Sequence, residues 1–182
     1  MTGYELRPTE HWSAEDLLDL PEGNHYEIVD GSLVVSPIAE VRHHRLADCV
    51  RATLEANAPT HWLPVRGVAV RVPGGTVVPD VVVLRPAANL DAAIVDPSDV
   101  ALVVEVESLT SRRLDRHVKP ALYAEATIEA YWRIERTSNG PTAHLYTLTK
   151  SGKYLQHRSV NAGDTVLAEL PYETAVAPAT WI

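Results

Sequence analysis

Two apolar stretches each carry an acid where a buried strand has no structural use for one. Asp80 interrupts a run of valines in Val77-Val-Pro-Asp-Val-Val-Val-Leu84, and Glu105 does the same in Leu102-Val-Val-Glu-Val-Glu-Ser108. A carboxylate on a buried strand is costly to desolvate unless it is paired or binds a metal. Two on neighbouring strands would also repel each other. A divalent cation between them resolves both problems, and Mg²⁺ in particular takes one or two carboxylates together with water and phosphate oxygens. The alternative is that each acid ends its strand in water or pairs with an arginine, since ion-pair networks also place acids in sheets.

Other polar residues read less sharply by themselves. Asp115 and Lys119 form an i,i+4 pair, which alone describes a solvated helix surface. Glu27, between Tyr26 and Ile28, alone reads as an exposed strand residue. His43 and His44 open a helix beside Arg42 and Arg45, and no second histidine follows at zinc-ligand spacing. Period 2 puts Glu107 on the same face as Glu105, and the end of the strand is expected to turn it to solvent.

The elements that must position these groups follow from pattern. Ser13 is placed to cap a short helix through Leu20, ended by Pro21 and Gly23. His25–Val29 and Ser32–Val35 flank Asp30-Gly31, a tight-hairpin signal, with Ser36-Pro37 as a break. Residues 40–57 show helical spacing, with Leu46, Val50, Thr53 and Leu54 on one face. Val68–Val72 alternates as a strand, and Pro73-Gly74-Gly75 reads as a turn. Val77–Leu84 and Val100–Glu107 read as strands buried on both faces. Over 112–125, Arg112, Asp115, Arg116, Lys119 and Tyr123 form one stripe at helical period, and Leu114, Val118, Ala121 and Leu122 another. The first stripe reads as a charged side. Pro120 inside the segment predicts a kink or a helix starting near Val118. Strands are expected at Ala130–Glu135, His144–Leu148, Tyr154–Arg158 and Thr165–Leu170. The order predicts a mixed α/β fold, and the length of 182 residues predicts a single domain over 1–182.

Composition narrows the function classes. The 16 Lys and Arg against 24 Asp and Glu leave a formal net charge of −8, which disfavours holding DNA by bulk positive charge. It does not exclude a nuclease, whose site concentrates carboxylates and offsets them with cations. No apolar run approaches the roughly 20 residues of a membrane helix. A lone Cys49 and an N-terminus without a signal pattern lead to the expectation of a cytoplasmic protein.

Taken in order, Val78-Pro-Asp80, Val103-Val-Glu-Val-Glu-Ser108, Arg113-Leu-Asp-Arg-His-Val-Lys119, Tyr123-Ala-Glu and Glu129-Ala-Tyr-Trp132 resemble the bacterial Uma2 (Uma-two) family of restriction endonucleases, within the PD-(D/E)xK nuclease superfamily. Tyr26-Glu-Ile-Val-Asp-Gly31, Ser36-Pro37 and Arg42-His43 extend the likeness over nearly the whole chain. The resemblance implies a restriction-endonuclease-like core, with a mixed β-sheet flanked by helices, an N-terminal hairpin and a divalent-metal site at the sheet's splayed edge. By similarity, Asp80 and Glu105 are the metal-binding acids. Glu27 matches an extra acid on the early hairpin, Lys119 a lysine on the following helix, and His43 a recurring histidine near the first long helix. Thr127 stands where the family often has glycine.

The reading these residues lead to is a metal-dependent endonuclease on DNA. Asp80, Glu105 and the Val106 backbone carbonyl would hold Mg²⁺ or Mn²⁺, with Glu27 as a direct or indirect ligand. Lys119 would position water or stabilise phosphate charge. Arg112, Arg113 and Arg116 would contact flanking phosphates, with His43 as a further DNA-binding candidate. A homodimer is expected by analogy with enzymes that cut both strands. Nothing in one chain tells of a companion methyltransferase. The rival reading is a catalytically degenerate relative that binds DNA or a protein, which Glu107, Pro120 and the net charge favour.

Overall fold

The hairpin at the start sets the frame for everything after it. Asp30 and Gly31 both take left-handed backbone, with φ of 48° and 72°, as a two-residue turn matched to strand twist requires. They join β1 (His25–Val29) to β2 (Ser32–Ser36), with Val29 opposite Ser32. The computed structural model describes residues 11–21, 25–36, 39–108, 112 and 114–181. Gly23, Pro37 and Arg113 of the sequence reading therefore lie outside the described residues. The helix expected from Ser13 is a short 3-10 turn, Glu15–Asp19. The Ser13 amide and hydroxyl both donate to Asp16 Oδ2, at 2.7 and 2.8 Å, so the serine closes this turn as a donor rather than capping it as an acceptor.

Helix α1 (Val41–Asn57) buries Leu46, Ala47, Val50 and Leu54 on one side, as their spacing requires, and His43 with them. Five short strands follow: β3 (Leu63–Val65), β4 (Ala69–Val72), β5 (Gly75–Val77), β6 (Val81–Leu84) and β7 (Ile94–Val95). Two differ from expectation. Gly75 is in a strand rather than a turn, and it is glycine because β1 runs so close that a Cβ there would sit 2.0 Å from the Ile28 carbonyl oxygen. The expected strand Val77–Leu84 is two strands. Val78, Pro79 and Asp80 carry the chain from one sheet to the other, and the proline supplies no amide for a continuous ladder.

Strand β8 (Val100–Val106) is buried at all seven positions. After it come a π-helical turn (Leu114–Val118) and α2 (Lys119–Glu125). α2 starts at Lys119, next to the expected Val118, and Pro120 falls in its first turn; the π turn runs into it without a break, so the missing amide sits at the change of helical form. The chain ends in β9 (Ala130–Thr137), β10 (Gly140–Leu148), β11 (Tyr154–Val160), β12 (Val166–Ala168) and β13 (Thr174–Val176).

A six-stranded sheet, β11-β10-β9-β8-β6-β3, is the central layer. Its β8 and β9 run parallel, joined through α2, and its other pairs are antiparallel. On one face Val81, Val83, Val104 and Trp132 pack under Leu46, Val50 and Leu54 of α1. On the other face Val82, Val103 and Tyr131 meet Leu122 and Tyr123 of α2 and Val70 and Val77 of a five-stranded sheet, β2-β1-β5-β4-β7. The fold is thus mixed α+β, with a central mixed sheet whose strands β6 and β8 and most of β9 are buried on both faces.

Candidate active site

Register brings the acids together. β6 and β8 pair antiparallel with Val81 opposite Val104, so Asp80 and Glu105 lie opposite each other just beyond that pair. Asp80 Oδ2 accepts the Val106 amide at 2.7 Å, and its Oδ1 lies 2.7 Å from Nε2 of His43 on α1. Glu105 is 3% exposed. Its Oε1 accepts the Tyr123 hydroxyl at 2.5 Å and lies 3.1 Å from Lys119 Nζ. The same ammonium is 2.9 Å from Glu27 Oε1 and 4.0 Å from Asp115 Oδ1. Glu27 in turn accepts the Val78 amide at 2.9 Å.

These contacts reverse two expectations. Glu27 is 2% exposed rather than a surface strand residue, enclosed by the Lys119 ammonium and the Val78 amide. The charged stripe Asp115–Lys119–Tyr123 points into the protein, with Asp115 at 1% and Lys119 at 5% exposure, and Ala121 faces solvent. Burial of this stripe is tolerated because each charge meets an opposite one inside. A π turn is a frequent companion of functional sites. Here it carries Asp115, whose carbonyl also accepts the Tyr131 hydroxyl at 2.7 Å. The sequence reading gave Asp115 no role, although its spacing from Lys119 was the available signal.

The electrostatics follow from this crowding. Burial pushes the Glu105 carboxyl well above the ordinary carboxylate range; Lys119 opposes the rise, and the Asp115, Asp80 and Glu27 charges add to it. For Asp80, burial works upward but is outweighed by the His43 hydrogen bond and charge, the Val106 amide and Lys119, so its pKa is lowered. Burial lowers the Lys119 pKa, yet Glu105, Glu27 and Asp115 more than reverse this and hold the ammonium charged. One lysine thus serves several buried carboxyls, and a site of that composition gains from a further cation. Its donors are all oxygen, as Mg²⁺ requires. Among the described residues no three His, Cys, Asp or Glu side chains converge as a metal cage.

Glu107 is the clearest correction. It is 3% exposed, not solvent-facing. Arg133 donates to its Oε1, and Arg116 contacts both its oxygens at 2.5 and 2.9 Å. Burial raises its pKa, but these two arginines outweigh that and hold it below the ordinary range. Glu107 is therefore committed to arginines and lies outside the Lys119 cluster. Of the expected phosphate contacts, Arg116 bridges Glu107 and Glu135, while Arg112 is exposed with its Nε 3.5 Å from Glu107. His43, expected near DNA, contacts Asp80 instead and is 8% exposed.

The family model Uma2, described as "Putative restriction endonuclease", matches residues 14–179. The chain belongs to the Uma2 family. A similar fold is seen in a solved structure, the crystal structure of "a putative nuclease belonging to DUF820" from Anabaena variabilis ATCC 29413. It superposes with a TM-score of 0.67 at 14% identity, covering 88% of this chain and 89% of that one. At that identity the likeness concerns the fold, which is restriction-endonuclease-like. No curated protein matches the sequence. Among the described residues, no helix is long and apolar enough to cross a membrane. Within this Uma2 chain, Asp80, Glu105, Lys119 and Glu27 lie together around one ammonium and one strand end, with Asp115, Tyr123 and His43 as immediate neighbours.

Proposed function

We propose that the protein is a divalent-metal-dependent endonuclease that hydrolyses DNA phosphodiester bonds at the Asp80–Glu105–Lys119 cluster. The observation that carries this reading is the Lys119 ammonium 3.1 Å from Glu105, which lies across the β6–β8 ladder from Asp80. Asp80, Glu105 and the Val106 carbonyl would hold Mg²⁺ or Mn²⁺, with Glu27 as a further acid. When bound, such an ion polarises the scissile phosphate and lowers the pKa of a coordinated water.

The chain's own residues would do the rest. Asp80 is kept a carboxylate by His43 and the Val106 amide, so it offers full negative charge at neutral pH. The Tyr123 hydroxyl fixes one oxygen of Glu105 and so sets the direction of the other. Lys119 stays protonated and can donate to a phosphate oxygen as charge builds there in the transition state. It could equally hold the attacking water by hydrogen bonding. The Glu27 contact at 2.9 Å aims the ammonium toward the acids rather than outward.

Of the three features that favour a non-cutting relative, the net charge of −8 stands, and Glu107 and Pro120 have structural explanations. Glu107 is neutralised by Arg133 and Arg116, and Pro120 falls in the first turn of α2. A homodimer cutting both strands is part of the proposal by analogy with other double-strand nucleases.

The deciding experiment is cleavage of supercoiled plasmid and of single-stranded DNA with Mg²⁺, Mn²⁺ or EDTA, beside the Glu105→Ala variant. Metal-dependent nicking that disappears in the variant supports the reading. No cutting by the native protein with either metal refutes it and favours the binding relative.

A further inference from the structure

A cleft of about 650 Å³ opens where the chain leaves β8 at Glu107 and Ser108, and its walls are rich in positive charge. Arg42 and Arg45 from the start of α1 line it, with Arg112 and, from β9, Arg136. Its apolar lining is Leu46, Pro141 and Trp181, all buried, so the cleft combines a greasy base with cationic walls.

Two acids face those four arginines. Glu40 and Glu107 are the acids lining the cleft. Glu107 is held most closely by Arg133 and Arg116, neither of which lines the cleft, and its Oε2 also lies 3.5 Å from Arg112, which does. Glu40 meets Arg136 at 3.0 Å, with the Glu40 side chain 68% exposed, so that pair is a weak surface contact. Four arginines in one concavity therefore stand out on a chain whose formal net charge is −8. Guanidinium forks suit phosphate oxygens, and an apolar base suits a sugar or nucleobase face.

The cleft is tied to the acids through the backbone. Arg42 precedes His43, whose ring contacts Asp80, so a single helical turn serves both places. Glu107 lines the cleft two positions after Glu105 on the same strand face. A volume of this size falls within the range of about 300–1,000 Å³ typical of ligand sites.

We propose that this cleft binds the sugar–phosphate backbone of a nucleic-acid strand, with Arg42 and Arg136 contacting phosphates. That the strand lies beside the bond to be cut rests on the nuclease reading; strand binding itself does not. The same chemistry would also accept a free nucleotide, and the test separates the two.

The test is fluorescence anisotropy of a labelled duplex oligonucleotide with the full chain in EDTA, over a range of salt, for the native protein, Arg42→Ala/Arg136→Ala and Arg42→Lys/Arg136→Lys. Loss of two phosphate contacts should weaken binding at least tenfold at low salt and make the log–log salt slope shallower by roughly 1.8, at about 0.9 per contact. The lysine variant should recover most of that slope. Circular dichroism melts of each variant confirm that the fold is kept. A native slope in the alanine variant, or no DNA binding by the native protein, overturns the proposal. So does competition by a deoxynucleoside monophosphate at affinity equal to the oligonucleotide, which would make the cleft a free-nucleotide site. Plasmid cleavage by the native protein reports separately on the nuclease reading. A slope change without cutting keeps the cleft and removes the nuclease, and cutting with an unchanged slope does the reverse.

Discussion

Lys119 Nζ and Glu105 Oε1 lie 3.1 Å apart, both nearly shut off from solvent, one from the first turn of a helix and the other from a fully buried strand. The pair holds the helix against the strand. It also fixes a permanent positive charge among acids, and both roles can be probed at the same residue.

Replacing Lys119 by alanine should lower DNA cleavage by about 10²–10³-fold, the usual loss when one transition-state hydrogen-bond donor is removed. It also leaves Glu105, Glu27 and Asp115 without their shared cation. The melting temperature should fall in metal-free buffer, and Mn²⁺ should restore more of it than in the native protein. Thermal melts with and without Mn²⁺ read both effects. Native cleavage rates in this variant would remove Lys119 from the mechanism.

Glu107→Ala should act on stability and not on the metal. It takes their closest carboxylate from Arg133, which is largely buried, and from Arg116, whose side chain is one-third exposed, leaving Glu135 at 3.7 and 3.0 Å as their remaining acid. Breaking a buried pair costs about 3–5 kcal/mol, and the exposure of Arg116 places the expected loss at the lower end. Urea denaturation measures the loss, and calorimetric Mn²⁺ affinity should not change. A parallel loss of Mn²⁺ affinity would instead make Glu107 a ligand.

Thr127→Gly should stabilise the protein. Helix α2 ends with Ile128 N–H on the Tyr123 carbonyl and Thr127 N–H on the Ala124 carbonyl, at 3.1 and 3.0 Å, and Thr127 has φ of 60°. This is the paired-bond helix ending in which glycine normally takes the left-handed position. A residue with a Cβ there costs about 1–2 kcal/mol, partly offset by the extra freedom glycine has when unfolded. A gain near 1 kcal/mol in chemical denaturation is expected. A loss would mean the Thr127 side chain contributes more than its backbone costs.

His144 should make stability depend on pH. Burial foremost, then the Arg133 charge, lowers its pKa below the usual imidazole value of 6.5, with Glu135 opposing. A depressed folded pKa means the fold prefers the neutral ring. The contribution is present above about 6.5 and is lost as pH falls through the lower folded value. NMR titration of the ring should place its midpoint below that of the unfolded chain, and His144→Gln should flatten the stability profile in this window. A midpoint at or above 6.5 would contradict the assigned environment.

Much of the fold could be read from pattern. The Asp30-Gly31 hairpin, the 40–57 helix and the valine strand at 100–107 follow local rules that tertiary packing did not override. The acids Asp80 and Glu105 were conspicuous because each breaks an apolar run. The link at 78–80 could not be seen, since a valine stretch reads the same whether it stays in one sheet or changes sheets. The burial of Asp115, Lys119 and Glu107 was also hidden. Helical period shows that charges share a stripe, but not which way the stripe faces, and only the third dimension supplies the arginine or carboxylate that makes burial affordable. β3, β7 and β13 are too short to carry a period at all.

The three-residue crossing between the sheets also has a mechanical side. Val78 gives its amide to Glu27 in the five-stranded sheet, and two residues later Asp80 receives the Val106 amide in the six-stranded one. The crossing is thus pinned at both ends by the very carboxylates proposed for chemistry. Any shear of one sheet against the other would pull Glu27 away from Asp80, so the spacing of these acids acts as a gauge of how the two sheets are seated.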